Sequence, residues 1–127
     1  MTSRGKRTAT RALATLDLTD LTDNCEEGAV QMLLRRARTV HGPVAAVCIW
    51  PQFVAMAAAA LRESGVRVAT VINFPHGSED VARAVADTTK ALHNGADEID
   101  LVIPYKSVLL GHHEIVREMI ACVRDRI

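Results

Sequence analysis

No excess of either charge marks this sequence: 15 basic side chains balance 15 acidic ones and the formal net charge is zero. Bulk electrostatics therefore offers nothing to nucleic acid or to an anionic membrane, and neither partner is expected. Long apolar runs are also missing, none approaching the ~18 residues that a membrane-spanning helix needs. Cysteine is scarce: Cys25, Cys48 and Cys122 are odd in number, widely spaced and form no C-x-x-C pair. That usage suits a reducing, cytoplasmic setting and argues against a disulfide framework or a zinc site. Neither G-x-G-x-x-G nor G-x-x-x-x-G-K occurs, so Gly42, Gly65 and Gly95 are expected to stop helices, not to cradle a phosphate.

What is present is one domain's worth of chain, 127 residues, enough to bury a core. Residues 1–11 carry Arg4, Lys6, Arg7 and Arg11 among Ser and Thr with no apolar stretch, which predicts a solvated basic tail or a frayed leading helix, not a targeting peptide. Residues 12–127 are expected to form the folded unit, with Ala12 to Leu18 as the first strand. Thr22-Asp23-Asn24 offers N-caps for a helix whose apolar positions Val30, Leu33, Leu34 and Ala37 recur at helical spacing, with Arg35, Arg36 and Arg38 in its last turn and Gly42 stopping it. Val44 to Ile49 is too short a run for a helix and predicts a buried strand. Trp50-Pro51 ends that strand, and Gln52 to Ser64 is the next helix, closed by Gly65.

Val66 to Ile72, rich in β-branched residues, is the third strand. Asn73 to Gly77 is a loop, Ser78 the expected N-cap, and Val81, Val85, Thr88, Thr89 and Leu92 the core face of the helix that follows. A fourth strand runs through Glu98-Ile99-Asp100-Leu101-Val102-Ile103. Helical sequence resumes at Ser107, breaks at Gly111 and carries a stripe of Ile115, Met119 and Val123. Strand and helix thus alternate four times, which means parallel strands with helical crossovers. Two α/β architectures satisfy this: a small doubly wound sheet, or four βα units making half of a (β/α)8 barrel, whose full form needs about 250 residues.

Within the fourth strand Glu98, Asp100 and Val102 share one face, and Ile99, Leu101 and Ile103 the other. A strand apolar around its acid predicts cover on both faces. An ionised carboxylate there costs several kcal/mol unless it is paired, so Asp100 is either a satisfied structural acid or a catalytic acid/base on the wall of the fold.

Four stretches, Asp17-Leu18-Thr19, Ala46-Val47-Cys48-Ile49-Trp50-Pro51, Ala69-Thr70-Val71-Ile72-Asn73-Phe74-Pro75-His76-Gly77 and Gly95 to Tyr105, resemble in order and spacing the first half of the deoxyribose-phosphate aldolase family. The resemblance extends from about Leu13 to the last residue. It implies a (β/α)8 barrel and a class I aldolase that uses neither metal nor cofactor. Such an enzyme cleaves 2-deoxyribose 5-phosphate to acetaldehyde and glyceraldehyde 3-phosphate through a lysine Schiff base. Asp100 would be the acid that works with an ordered water and the lysines in proton transfer, and Asp17, Thr19 and Cys48 would line the substrate pocket. The family's Schiff-base lysine and the second lysine that lowers its pKa lie on the sixth and seventh strands, beyond Ile127, as do the phosphate loops. The chain is accordingly expected to be an N-terminal half, inactive alone. The alternatives are an active aldolase with a substitute lysine or a complementing half, and a non-catalytic, self-associating βα scaffold.

Of the lysines present, Lys6 falls in the tail and Lys90 on a helix, leaving Lys106, just past the fourth strand, as the substitute candidate. His112-His113 is expected to be a surface pair, because adjacent helical residues point apart. His76 is expected either to touch substrate or to brace its loop, and Cys48 to be a small buried side chain with no basic partner to activate it. Half a barrel exposes the edges of its first and last strands, which predicts a dimer or higher assembly.

Overall fold

The computed structural model describes residues 2–127. Met1, the first residue of the expected tail, lies outside the described residues. The elements are helix α1 (Ser3–Ala14), strand β1 (Asp17–Asp20), α2 (Glu27–Arg36), a minimal hairpin of β2 (Arg38–Thr39) and β3 (Gly42–Pro43), and β4 (Ala46–Ile49). A 3-10 turn (Pro51–Phe53) leads into α3 (Val54–Ala60), followed by β5 (Arg67–Ile72), α4 (Val81–His93), β6 (Glu98–Leu101), α5 (Tyr105–Leu109) and α6 (His113–Arg124). Among the described residues no helix is long and apolar enough to cross a membrane.

The four long-range strands pair in the order β1-β4-β5-β6, every pair parallel. A doubly wound sheet reverses its order at a switch point, and this sheet does not. All the packed helices also lie on one side. Val30, Leu33 and Leu34 of α2, Val54 and Ala57 of α3, Ala84 and Ala91 of α4, and Met119 and Val123 of α6 join one core cluster with Val47, Ile49, Val68 and Ile72. Those strand residues alternate along β4 and β5 and so belong to one sheet face. Sequential parallel order with helices on a single face is the architecture of a barrel wall, here four βα units.

Several local expectations are corrected by the hydrogen bonding. Ala12 to Ala14 continue α1 instead of opening β1, since Ala-Leu-Ala extends a helix already begun at Ser3, and the strand starts at Asp17. α1 therefore crosses the boundary expected between residues 11 and 12. Thr22 does not cap α2, because its backbone N–H (3.1 Å) and hydroxyl (2.7 Å) both bind Asp20 Oδ1. The hydroxyl, and secondarily the N–H, hold the Asp20 carboxyl below the usual range. The N-cap position falls to Glu26, without a side-chain cap bond.

α2 ends at Arg36 without Gly42, which has φ +118° in the hairpin, and Arg38 sits in β2 outside the last turn. α3 ends at Ala60 instead of Ser64, because the Ser64 hydroxyl donates to the Leu61 carbonyl (2.6 Å) and closes a turn. Asp80, not Ser78, caps α4, accepting from the Arg83 N–H at 2.9 Å. Thr89 faces solvent, and the buried positions of that helix are Ala84, Thr88 and Ala91.

Met119 is fully buried between α4 and the sheet and belongs to the main cluster. Met119→Ala is expected to lower the free energy of unfolding by about 2–5 kcal/mol with an unchanged denaturant slope. Urea titration at fixed protein concentration measures both, and a loss under about 1 kcal/mol would mean that the site collapses around the gap.

Candidate active site

Strand alternation and the printed register put Asp17 and Thr19 of β1, Cys48 of β4, Ala69 and Val71 of β5, and Asp100 of β6 on the sheet face away from the helices. Thr19 lies opposite Cys48, Cys48 opposite Ala69, and Val71 opposite Asp100. The four residues singled out in the sequence therefore share one surface: Thr19, Cys48 and Asp100 lie in the C-terminal halves of their strands, the end at which barrel enzymes build their sites, whereas Asp17 opens β1. Asp100 is exposed there, contrary to the expectation of cover on both faces. An apolar pattern around the acid implies two covered faces, but among the described residues no helix packs on this one.

The contact that organises the face is between Cys48 and Asp100. The Cys48 thiol donates to Asp100 Oδ2 at 3.6 Å, reaching across β5. Ala69, opposite Cys48, leaves room for that reach, which a larger side chain would fill. Cys48 itself is 3% exposed. Burial pushes its thiol up to about 12, helped by the charge of Asp100, its hydrogen bond to Asp100, and the charge of Asp17. Cys48 is thus a neutral hydrogen-bond donor to a carboxylate and no nucleophile. Thr19 turns its hydroxyl onto the Asp17 carbonyl of its own strand, at 3.2 Å.

A rim of loops partly roofs this face. Leu21, Trp50 and Phe74 pack on Ala46, Cys48, Ala69 and Val71. Trp50 meets Phe74 edge-on, with ring centroids 5.4 Å apart, and its indole N–H donates to the Thr22 carbonyl at 3.0 Å. The loop bearing Phe74 is held by Asn73, which adopts φ +59°. Asn73 Oδ1 accepts from the Ser78 hydroxyl (2.7 Å) and N–H (3.1 Å), while Nδ2 donates to the Ser78 and Val102 carbonyls, both at 2.9 Å. Gly77 presses against β6's exit so closely that an added Cβ would lie 2.5 Å from the Ile103 carbonyl oxygen and 2.7 Å from the Tyr105 ring. The mechanical role of Asn73 and Gly77 does not follow from the motif that contains them. An Asn where a strand ends is the signal that was available, since Asn tolerates positive φ.

His76 is exposed, and bracing of its loop falls to Asn73. A groove of about 740 Å³ runs from Trp50 and Phe74 past His76 and along α4 to Asn94. It does not include Asp100. None of Lys6, Lys90 and Lys106 projects from a strand: they lie on α1, α4 and α5. His112 and His113 are both exposed, and among the described residues no group of three His, Cys, Asp or Glu is placed to hold a metal ion.

A one-sided wall of parallel strands in sequential order defines part of a (β/α)8 barrel. Residues 6–125 match the DeoC/LacD family of aldolases, and the chain belongs to that family. It is 49% identical over 122 residues to the deoxyribose-phosphate aldolase of Agrobacterium fabrum, an alignment covering 95% of this chain and 47% of that protein. Among solved structures, a Coccidioides immitis protein assigned as a deoxyribose-phosphate aldolase superposes with a TM-score of 0.84 at 25% identity, over 97% of this chain and 54% of the other. The deoxyribose phosphate aldolase of Aeropyrum pernix, described as tetrameric, shares the fold with a TM-score of 0.77 at 20% identity, over 99% of this chain and 56% of its own. The chain thus spans about half the length of the relatives it matches.

The raised Cys48 value has a defined pH consequence. An unfolded thiol ionises near 9.0, so the unfolded state loses its proton first. The stability contributed by the neutral thiol is complete below about pH 9 and declines as pH rises toward about 12. Alkylation of Cys48 at graded pH, followed by peptide mapping, should give a rate profile whose midpoint lies well above that of the denatured chain. Coincident midpoints would show that the thiol is not held by Asp100.

Proposed function

We propose that this chain supplies the acid-bearing half of a deoxyribose-phosphate aldolase site. The substrate is 2-deoxyribose 5-phosphate and the products are acetaldehyde and glyceraldehyde 3-phosphate. The observation that carries the proposal is Asp100, accessible on the open face and held by the Cys48 thiol, in a chain 49% identical to an aldolase over nearly its whole length. In this reading a lysine amine condenses with the C1 aldehyde, losing water to give an imine. Cleavage of C2–C3 then requires that the C3 hydroxyl lose its proton, and the bonding pair moves toward the imine nitrogen to leave an enamine. That enamine takes a proton at C2 before hydrolysis releases acetaldehyde. Asp100, through an ordered water, is the group proposed to accept and return these protons, the role for which a carboxylate within reach of the reacting carbon is suited. Asp17 and Thr19, on β1 at the opposite edge of the sheet from β6, are proposed to bound the substrate's path.

The amine is not proposed from this chain. Lys90 borders the groove beside α4, Lys6 is on the leading helix and Lys106 lies past the strand on α5. The 127 residues taken alone are therefore expected to be inactive until a complementing half provides the lysines. Borohydride reduction in the presence of acetaldehyde, with mass mapping, is the test. A folded chain without adduct agrees with the proposal, and a reduced adduct on Lys106 would replace it with an active enzyme using a substitute amine.

We extend the proposal to assembly. Among the described residues the outer edges of β1 and β6 have no neighbouring strand in this sheet, and only Leu21, Trp50 and Phe74 pack over the inner apolar cluster. Each 100 Å² of apolar surface covered is worth about 2.5 kcal/mol. The isolated chain should pair with a second copy through these edges. Light scattering at micromolar concentration should report at least a dimer, and a clean monomer would remove this part of the proposal.

A further inference from the structure

The β5–β6 ladder reaches one rung further than its backbone can carry it. Ile72 pairs with Leu101, and the Val102 N–H donates to the Ile72 carbonyl at 3.0 Å. In a regular parallel ladder the next rung would run from the N–H of residue 74 to the Val102 carbonyl. At Asn73 the backbone turns to φ +59° and leaves the strand. The missing donor is replaced by a side chain: Asn73 Nδ2 reaches the Val102 carbonyl at 2.9 Å. The same amide group contacts Met119 Sδ at 3.5 Å and, through Ser78, fixes the loop that carries Phe74.

Val102 is two residues beyond Asp100 and on the same strand face, so the rung that holds Val102 sets the depth at which Asp100 stands beside Cys48. We infer that Asn73 is a positioning residue for Asp100, its amide serving as the last rung of the sheet. The role in proton transfer rests on the aldolase reading above, while the mechanical coupling does not. Asn73 touches neither Cys48 nor Asp100, so any effect on their contact must travel through β6.

The pH profile of Cys48 alkylation reads that contact without substrate, second half or catalysis. Asn73→Gly keeps positive φ accessible and removes only the side chain. It should lower the profile midpoint by about half a unit, a roughly threefold gain in thiolate at a fixed pH, because the Asp100 charge and hydrogen bond move away. Loosening of the loop alone would raise the plateau rate and leave the midpoint in place. In an Asp100→Asn background, Asn73→Gly should shift the midpoint no further. An equal shift in both backgrounds, or none in either, overturns the inference. Ser78→Ala, which removes the hydroxyl on Oδ1 but spares the Val102 rung, should leave the midpoint where it was, and a shift as large as that of Asn73→Gly would assign the effect to the loop.

Should Asn73→Gly not fold, the unaltered chain still decides the matter. The side-chain amide protons of Asn73 should exchange many-fold more slowly than those of exposed Asn24, and equal rates would exclude a structural rung. Absence of aldolase chemistry in a complemented assembly would remove the catalytic reading and leave each of these outcomes as it stands.

Discussion

The structure depends on one constraint: four parallel strands in sequential order, with every packed helix on the same side. A right-handed crossover returns each helix to the same face as long as the strand order never reverses. The consequence is asymmetry. One face is closed by Val, Leu, Ala and Met from α2, α3, α4 and α6, while the other keeps a small cluster of Ala46, Cys48, Ala69 and Val71 under three rim side chains. The first face holds the main core, and the second stays largely open.

On that second face small residues matter as much as the acids. Ala69 sits where a longer side chain would separate Cys48 from Asp100, and the thiol can therefore donate across an intervening strand. The thiol and the carboxylate define one another. Burial first, and then the charge and hydrogen bond of the carboxylate, hold the sulfur in its protonated form, and the sulfur gives one carboxylate oxygen a fixed partner while the group remains open to solvent. A carboxylate both oriented and accessible is what proton transfer from a bound substrate requires. Family membership, with coverage of about half of each relative, is consistent with that arrangement being one wall of a larger site.

The rim shows how the wall is kept in register. Asn73 and Gly77 clamp the β5–α4 loop onto the exit of β6, Asn73 through its amide and Gly77 through the absence of a Cβ. Trp50 ties the β4–α3 turn to the β1–α2 loop through Thr22, which itself is bound to Asp20. Loops of three successive βα units are thus linked to one another above the strands.

Much of this was legible from residue order. The alternation of strand and helix, the core positions Val30, Leu33, Leu34 and Ala37, and Met119 and Val123 of the last stripe followed from local pattern, because periodicity and turn chemistry act over a few residues, although Val116 and not Ile115 is the third buried position of that stripe. Asp17, Thr19 and Cys48 were pointed to by family resemblance and not by periodicity. Helix caps were misread where a capping side chain had a competing partner: Thr22 was taken by Asp20, and Ser78 by Asn73. Whether Asp100 faced protein or open space, and that Cys48 would meet it across β5, was decided by tertiary structure alone. Those facts depend on which sheet face the helices cover and on contacts between residues 52 apart in sequence, which no local pattern encodes.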